Sequence, residues 1–152
     1  MLVIKGNRIH ANNFSFELPQ GLNIITDPDG VKVDTLNFET LDGKFIIEIG
    51  AGGYSRTALE YIELMKNNKE IIFQSEILPI VRGNMRGFGF YYTGVEWRHE
   101  YYAEFLEYPM NEEGQTLFDL LIAHEIEEDN GGDALKDFMN EKNIKAFLDS
   151  IK

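Results

Sequence analysis

The run TLNFETLDGKFIIEIG, residues 35 to 50, constrains the fold of this chain more than any other stretch. Asp42-Gly43 stands between two runs of alternating apolar and polar residues. Asp-Gly suits the positive φ angles of a tight turn, and alternation is the period of a half-buried strand, so the stretch predicts an antiparallel hairpin with strands over about 34–41 and 44–50.

The neighbouring segments continue in the same vein. FSFELP, Phe14 to Pro19, alternates Phe14, Phe16 and Leu18 against Ser15 and Glu17 and is stopped by proline; GLNII resumes the strand, and DPDG, Asp27 to Gly30, is a turn. EIIFQSEILPIV gives one or two strands interrupted by Pro79, a residue that belongs at a sheet edge or a turn. In GFGFYYTGVEWRHEYYAEFLEY, Phe88, Phe90 and Tyr92 alternate, and Thr93-Gly94 is the expected turn into a partner strand over about 95–107. TLFDLLIAHEIEE fits both periods, but a helix would put Asp119 close to the apolar stripe, so a strand is expected.

Two regions have helical spacing instead. Ala58, Ile62 and Met65 form an amphipathic stripe that ends near Asn67-Asn68, and Thr57 followed by Glu60 is a capping-box pattern. Leu135, Phe138 and Met139, then Ile144, Phe147, Leu148 and Ile151, give a second stripe, which NEKN at 140–143 divides into two short helices or one kinked helix. Hairpins dominate the order. It predicts a single α+β domain over 1–152, a mainly antiparallel sheet flanked by helices. At 152 residues with 43% hydrophobic content, such a domain buries about 68–70% of the surface its unfolded chain exposes.

Inside the hairpin lies a run that imitates a cofactor site. IIEIGAGGY places Glu48, Gly50 and Gly52 where an S-adenosylmethionine motif has an acid and alternating glycines, but Tyr54 falls where that motif needs a last glycine. A dinucleotide fingerprint begun at Gly50 fails at Ser55, although Glu76 lies where a ribose-binding acid would. Both cofactor folds require strand-helix alternation and a parallel sheet, whereas about 45 residues of hairpins follow Glu76. Gly50 to Gly53 are therefore expected to carry the chain out of a strand and into a helix cap. An enzyme dependent on S-adenosylmethionine or a nucleotide and using Gly50–Gly53 is the alternative reading. The leading expectation has no catalytic residue, cofactor or metal site.

Charge narrows the partners. The net charge of −12 is concentrated in residues 100–152, where 14 acids face four lysines, a balance of −10. That surface repels phosphate backbones and anionic lipid, which disfavours nucleic acid and membranes and favours a basic protein partner. The acids Glu125, Glu127, Glu128 and Asp129, followed by Asn130-Gly131-Gly132, are the candidate contact because a strand end before such a break should be exposed. HEIEED also has the composition of a cation site, but strand alternation sends His124, Ile126 and Glu128 to one side and the other acids to the opposite side. Tyr91, Tyr92, Trp97, Tyr101, Tyr102 and Tyr108 are divided between sheet packing and a protein-binding patch; the acids among them disfavour a nucleic-acid platform. With no cysteine, disulfides and thiolate chemistry are excluded. The start MLVIKGNRIH has no signal-peptide core and no run reaches the length of a membrane span, so the chain is read as cytoplasmic.

In the order FSFELPQGL, hairpin into IIEIG, helix SRTALEYIEL, RGFGFYY, aromatic meander and closing NIKAFLDSIK, the chain resembles the PsbP-like family over about 14–151. That family includes an extrinsic photosystem II subunit, a Ran-binding protein and small bacterial adaptor chaperones. The resemblance implies an α-β-α sandwich around an antiparallel sheet and a non-enzymatic, protein-binding role as chaperone, adaptor or immunity-type protein, with no site residue to carry over.

Overall fold

The computed structural model describes residues 2–11, 15–25, 35–53, 57–95, 99–107, 116–125 and 134–151. Two antiparallel sheets and three helices account for most of them. β1 (Val3–Lys5), β2 (Arg8–His10) and β3 (Ser15–Glu17) form a small sheet in the order β1-β2-β3. The large sheet contains β4 (Leu22–Ile24), β5 (Thr35–Thr40), β6 (Phe45–Gly53), β7 (Ile71–Phe73), β8 (Leu78–Arg82), β9 (Met85–Gly94), β10 (His99–Glu107) and β11 (Thr116–Glu125). Its order is β4-β5-β6-β11-β10-β9-β7, and β8 also pairs with β9. The helices are α1 (Ala58–Lys66), α2 (Ala134–Met139) and α3 (Lys142–Asp149).

Every strand pairing described is antiparallel. The β5–β6 hairpin turns as its sequence predicts: Gly43 has φ +72°, and Asp42 Oδ1 accepts from Thr40 Oγ1 at 2.6 Å and from Lys44 N at 3.0 Å. The Thr40 hydroxyl first, and then the Lys44 N–H, hold the Asp42 carboxyl below its usual range. Pro79 lies in β8, an edge strand where a missing N–H is tolerated.

α1 starts where the capping box places it, with Glu60 N donating to Thr57 Oγ1 at 3.2 Å, and Asn67 caps its end. Glu107 of β10 adds a second cap by accepting from Ala58 N–H. The closing stripe is two helices, divided at Asn140-Glu141 as the NEKN interruption suggests.

The sheet is covered on both faces. On one, Leu36 and Phe38 of β5, Ile47 and Ile49 of β6, Leu120 and Ile122 of β11 and Leu106 of β10 meet Leu135, Phe138, Ile144, Phe147 and Leu148 of α2 and α3. The small sheet joins this core through Leu2, Ile9 and Phe16, whose ring meets Phe147 edge-on at 5.8 Å. On the other face α1 packs Ile62 and Met65 against Phe90, Tyr92 and Ala103, and Tyr61 stacks on Phe105 at 5.6 Å. The result is an α+β fold with a mainly antiparallel sheet flanked by helices.

Three details depart from the sequence reading. Gly50 to Gly53 lie inside β6, paired with Asp119 to Thr116 of β11, instead of forming the exit to the helix. Thr93-Gly94 belongs to β9 instead of a turn, because β7 extends the ladder there and Val95 N–H bonds Glu70 O at 2.9 Å. The β1–β2 hairpin was not foreseen; Gly6, at φ +61°, turns the chain between VIK and RIH.

Candidate functional site

Alternation along antiparallel strands sets which side chains share a face. On the α2–α3 face, charged groups are matched. Glu104 is fully buried and accepts from Arg82 Nε at 2.6 Å and Nη2 at 2.9 Å, while Arg82 Nη1 donates to Leu148 O of α3 at 2.9 Å. Burial opposes the Arg82 charge, but hydrogen bonding and attraction from Glu104 outweigh it and hold the guanidinium above its ordinary value. His124 is also buried on this face, with Nδ1 2.9 Å from Glu100 Oε1 and its ring stacked on Phe45 at 4.5 Å. His124 is thus a packed core residue and not part of a solvated strand end.

The α1 face is different. α1 lies over β9 and β10, leaving two open flanks. On one flank a cleft of about 480 Å³ separates α1 from β8 and β9, walled by Leu59, Pro79, Ile80, Val81 and Phe88, with Arg86 and Glu107 at its polar end. Its rims are exposed and apolar: Leu59 is 56% and Val81 65% accessible. Arg86 and Glu107 are direct cross-strand neighbours, but Glu107 is turned to the α1 N-terminus.

On the other flank β5, β6 and β11 present successive rows across the sheet. Glu39 and Ile46 pair, as do Ile46 and Ala123; the next row places Glu48 opposite Leu121, and the third places Gly50 opposite Asp119. Ile46 is 40% exposed, and Glu48, Asp119, Leu121 and Ala123 are half-buried. Asp119 lies over Gly50, so that a Cβ at position 50 would require its carboxyl group to move. Burial first, and repulsion from Glu48 second, push the Asp119 carboxyl up to about 6. Tyr92 and Tyr101, stacked at 4.9 Å, stand beside this flank. Burial, with Tyr101 and Glu48 adding to it, raises the Tyr92 hydroxyl well above its ordinary value.

The sequence-derived candidates, and the remaining histidines and Ser150, fall as follows. Glu125 is the last residue of β11, opposite His99, whereas Glu127, Glu128 and Asp129 lie outside the described residues. Tyr102 and Tyr92 are buried, Tyr91 and Tyr101 are half-buried, and Trp97 and Tyr108 lie outside the described residues. Ser150 is a structural cap: its hydroxyl donates to Phe147 O at 2.7 Å and accepts from Glu17 N at 3.1 Å, joining α3 to β3. His10 sits in β2, and His99 stacks on Tyr101 at 6.1 Å. Among the described residues no three ligating side chains gather as a metal site, and no helix is long and apolar enough to cross a membrane. Sequence reasoning missed the exposed pair Leu59 and Val81, and the Glu48–Asp119 pair, because each depends on strand register or on where α1 docks.

No family model and no curated protein matches the chain. A crystal structure from Bacteroides thetaiotaomicron VPI-5482 is similar in fold, with a TM-score of 0.51 at 14% identity over 98% of this chain. This chain spans about half of it, 48% of its length.

Proposed function

We propose that this chain is a non-enzymatic protein-binding domain, of the chaperone, adaptor or immunity type. The observation that carries the reading is the apolar cleft between α1 and the edge strand β8, with Leu59 and Val81 exposed on opposite rims. Exposed apolar side chains gathered around a concavity are what a folded domain retains for a partner. The PsbP-like relationship belongs to the same proposal, and its support is the order of motifs from FSFELP to NIKAFLDSIK. The acidic end, with Glu125, Glu127, Glu128 and Asp129, supplies long-range attraction for a basic partner, because 14 acids against four lysines in residues 100–152 set up a one-signed field.

The test is capture from the source lysate with three baits: the native chain, a Leu59→Glu/Val81→Glu variant, and a variant with Glu125, Glu127, Glu128 and Asp129 neutralised to Gln and Asn. The expected result is a stoichiometric partner held by the native chain and lost by the cleft variant; with the acid variant it associates more slowly at low salt. Recovery of no stoichiometric partner, together with turnover of a small molecule dependent on S-adenosylmethionine or a nucleotide, overturns the reading.

A further inference from the structure

The outer edge of β8 presents backbone groups whose direction is fixed by the hairpin it forms with β9. The loop between the two strands is Gly83-Asn84, with Gly83 at φ +60°, and Arg82 and Met85 close it. The closing pair of such a hairpin is hydrogen-bonded, and bonded and non-bonded pairs alternate from there. Arg82, Ile80 and Leu78 therefore turn their backbone groups to β9. The same parity continues along β9, where Tyr91 O accepts from Gln74 N at 2.8 Å and Val95 N donates to Glu70 O at 2.9 Å. Val81 N–H and C=O and Pro79 C=O point the other way, and among the described residues no strand pairs with that edge. Leu78 is 53% and Val81 65% exposed, and strand alternation puts them on opposite faces, so β8 is open on both faces as well as along its edge. Edge strands are commonly guarded by charge, proline or a covering element. Here the one charge, Arg82, is turned inward to Glu104, and Pro79 removes a single donor.

We propose that β8 accepts an extended segment of a protein partner as an added antiparallel strand, with an acidic side chain opposite Val81 and an apolar one opposite Pro79. The inference rests on the protein-binding reading and adds to it the conformation and chemistry of the bound segment. Backbone geometry selects a strand and centres it on Val81. A residue facing Val81 exchanges both main-chain bonds with it, and the residue two positions on donates to Pro79 O without calling for the N–H that proline lacks. The side-chain rows select the rest. Across the sheet Val81 continues into Arg86 and Glu107, and Pro79 continues into Phe88 and Phe105. Arg86 is exposed and Glu107 is engaged by Ala58 N–H, so a carboxylate at the free end of that row is complementary to the guanidinium. An apolar side chain at the free end of the other row lies on Pro79 and closes the open side of the cleft over Phe88.

The probe is the peptide acetyl-Val-Glu-Val-Leu-Thr-amide, followed by backbone amide shifts and amide hydrogen exchange of the whole protein. In the free protein the Val81 amide should exchange quickly, whereas Ile80 and Arg82, bonded to β9, are protected. The peptide should give saturable shifts over β8 and the facing part of β9 and should slow exchange at Val81. Replacing its Glu by Gln should weaken binding about threefold, the scale of one exposed ion pair. N-methylation of the Glu nitrogen, which removes the bond to Val81 O, should abolish binding. Val81→Pro removes the outward N–H and no bond to β9, and should abolish it too; Arg86→Gln, which leaves the backbone alone, should reproduce the threefold loss even if the proline variant does not fold. Equal binding of the N-methylated peptide, shifts centred on another strand, or a protected Val81 amide in the free protein overturns the proposal. So does a chain that is dimeric in analytical ultracentrifugation and monomeric with Val81→Pro, since a second copy then holds the edge. The two readings fail separately. A captured partner lost by Leu59→Glu/Val81→Glu but kept by Val81→Pro, with no peptide shift on β8, removes the added strand alone. Peptide binding at β8 with no partner captured removes the chaperone, adaptor or immunity role and leaves the strand-accepting edge standing.

Discussion

Glu104 and Asp119 both project from central strands of one sheet, yet the molecule treats them in opposite ways. Glu104, fully buried on the α2–α3 face, receives two nitrogens of Arg82, which also ties β8 to the last turn of α3. Asp119, half-buried on the α1 face, has Glu48 as its charged neighbour and no cation among the described residues. Desolvated charge is tolerated when it is paired and hydrogen-bonded; left unpaired, it binds a proton or waits for a partner. One face of the sheet is therefore finished as a core, whereas on the other the described residues leave Asp119 beside a like charge.

The largest expected effect comes from breaking the matched pair. Arg82→Met leaves Glu104 buried without its cation and should cost about 3–5 kcal/mol, read as a lower midpoint in urea unfolding at an unchanged slope. A loss below about 1 kcal/mol would mean that the pair is no better matched than a surface contact.

Gly50→Ala comes next. Its new methyl group meets the Asp119 carboxyl, so a loss of about 1–3 kcal/mol is expected, and most of it should return in the Gly50→Ala/Asp119→Ala double variant. Full additivity of the two changes would show that the carboxyl does not occupy that space.

Asp119→Asn should act with the opposite sign. The folded carboxyl holds its proton to about pH 6, above the unfolded value near 3.9, so its stabilising contribution is present below pH 4 and is lost as pH rises to 6. Above that range the native chain carries the charge at a penalty. Discounted for the solvent that reaches the group, that penalty is about 1–2 kcal/mol. The variant should gain that much at pH 8 and nothing at pH 3.5, measured by denaturant midpoints at both values. Glu63→Gln, which removes an exposed i,i+3 pair with Lys66 at 3.2 Å, sets the floor of the series at about 0.5 kcal/mol or less.

What the sequence disclosed follows the range of the interactions involved. The turn at Asp42-Gly43 and the cap at Thr57 are local, made by residues within three positions of one another, and both stand where the motifs put them. Pro79 marked an edge for the same reason. The Gly6-Asn7 step between two short runs is a hairpin signal of the same local kind. The glycine run was misplaced because what Gly50 accommodates is Asp119, its neighbour only across the ladder. The burial of His124 is not legible locally, because the residues that pack on it, Glu100 and Phe45, come from two other strands. Register decides which acids become neighbours, and register is a property of the assembled sheet.

The contrast between the two faces is tested most directly by following the Asp119 side-chain carboxyl carbon by NMR across pH 3 to 9. It should titrate with a midpoint at about 6. A midpoint near 4 would contradict the account, because Asp119 would then be an ordinary solvated acid and the two faces would not differ in how they treat charge.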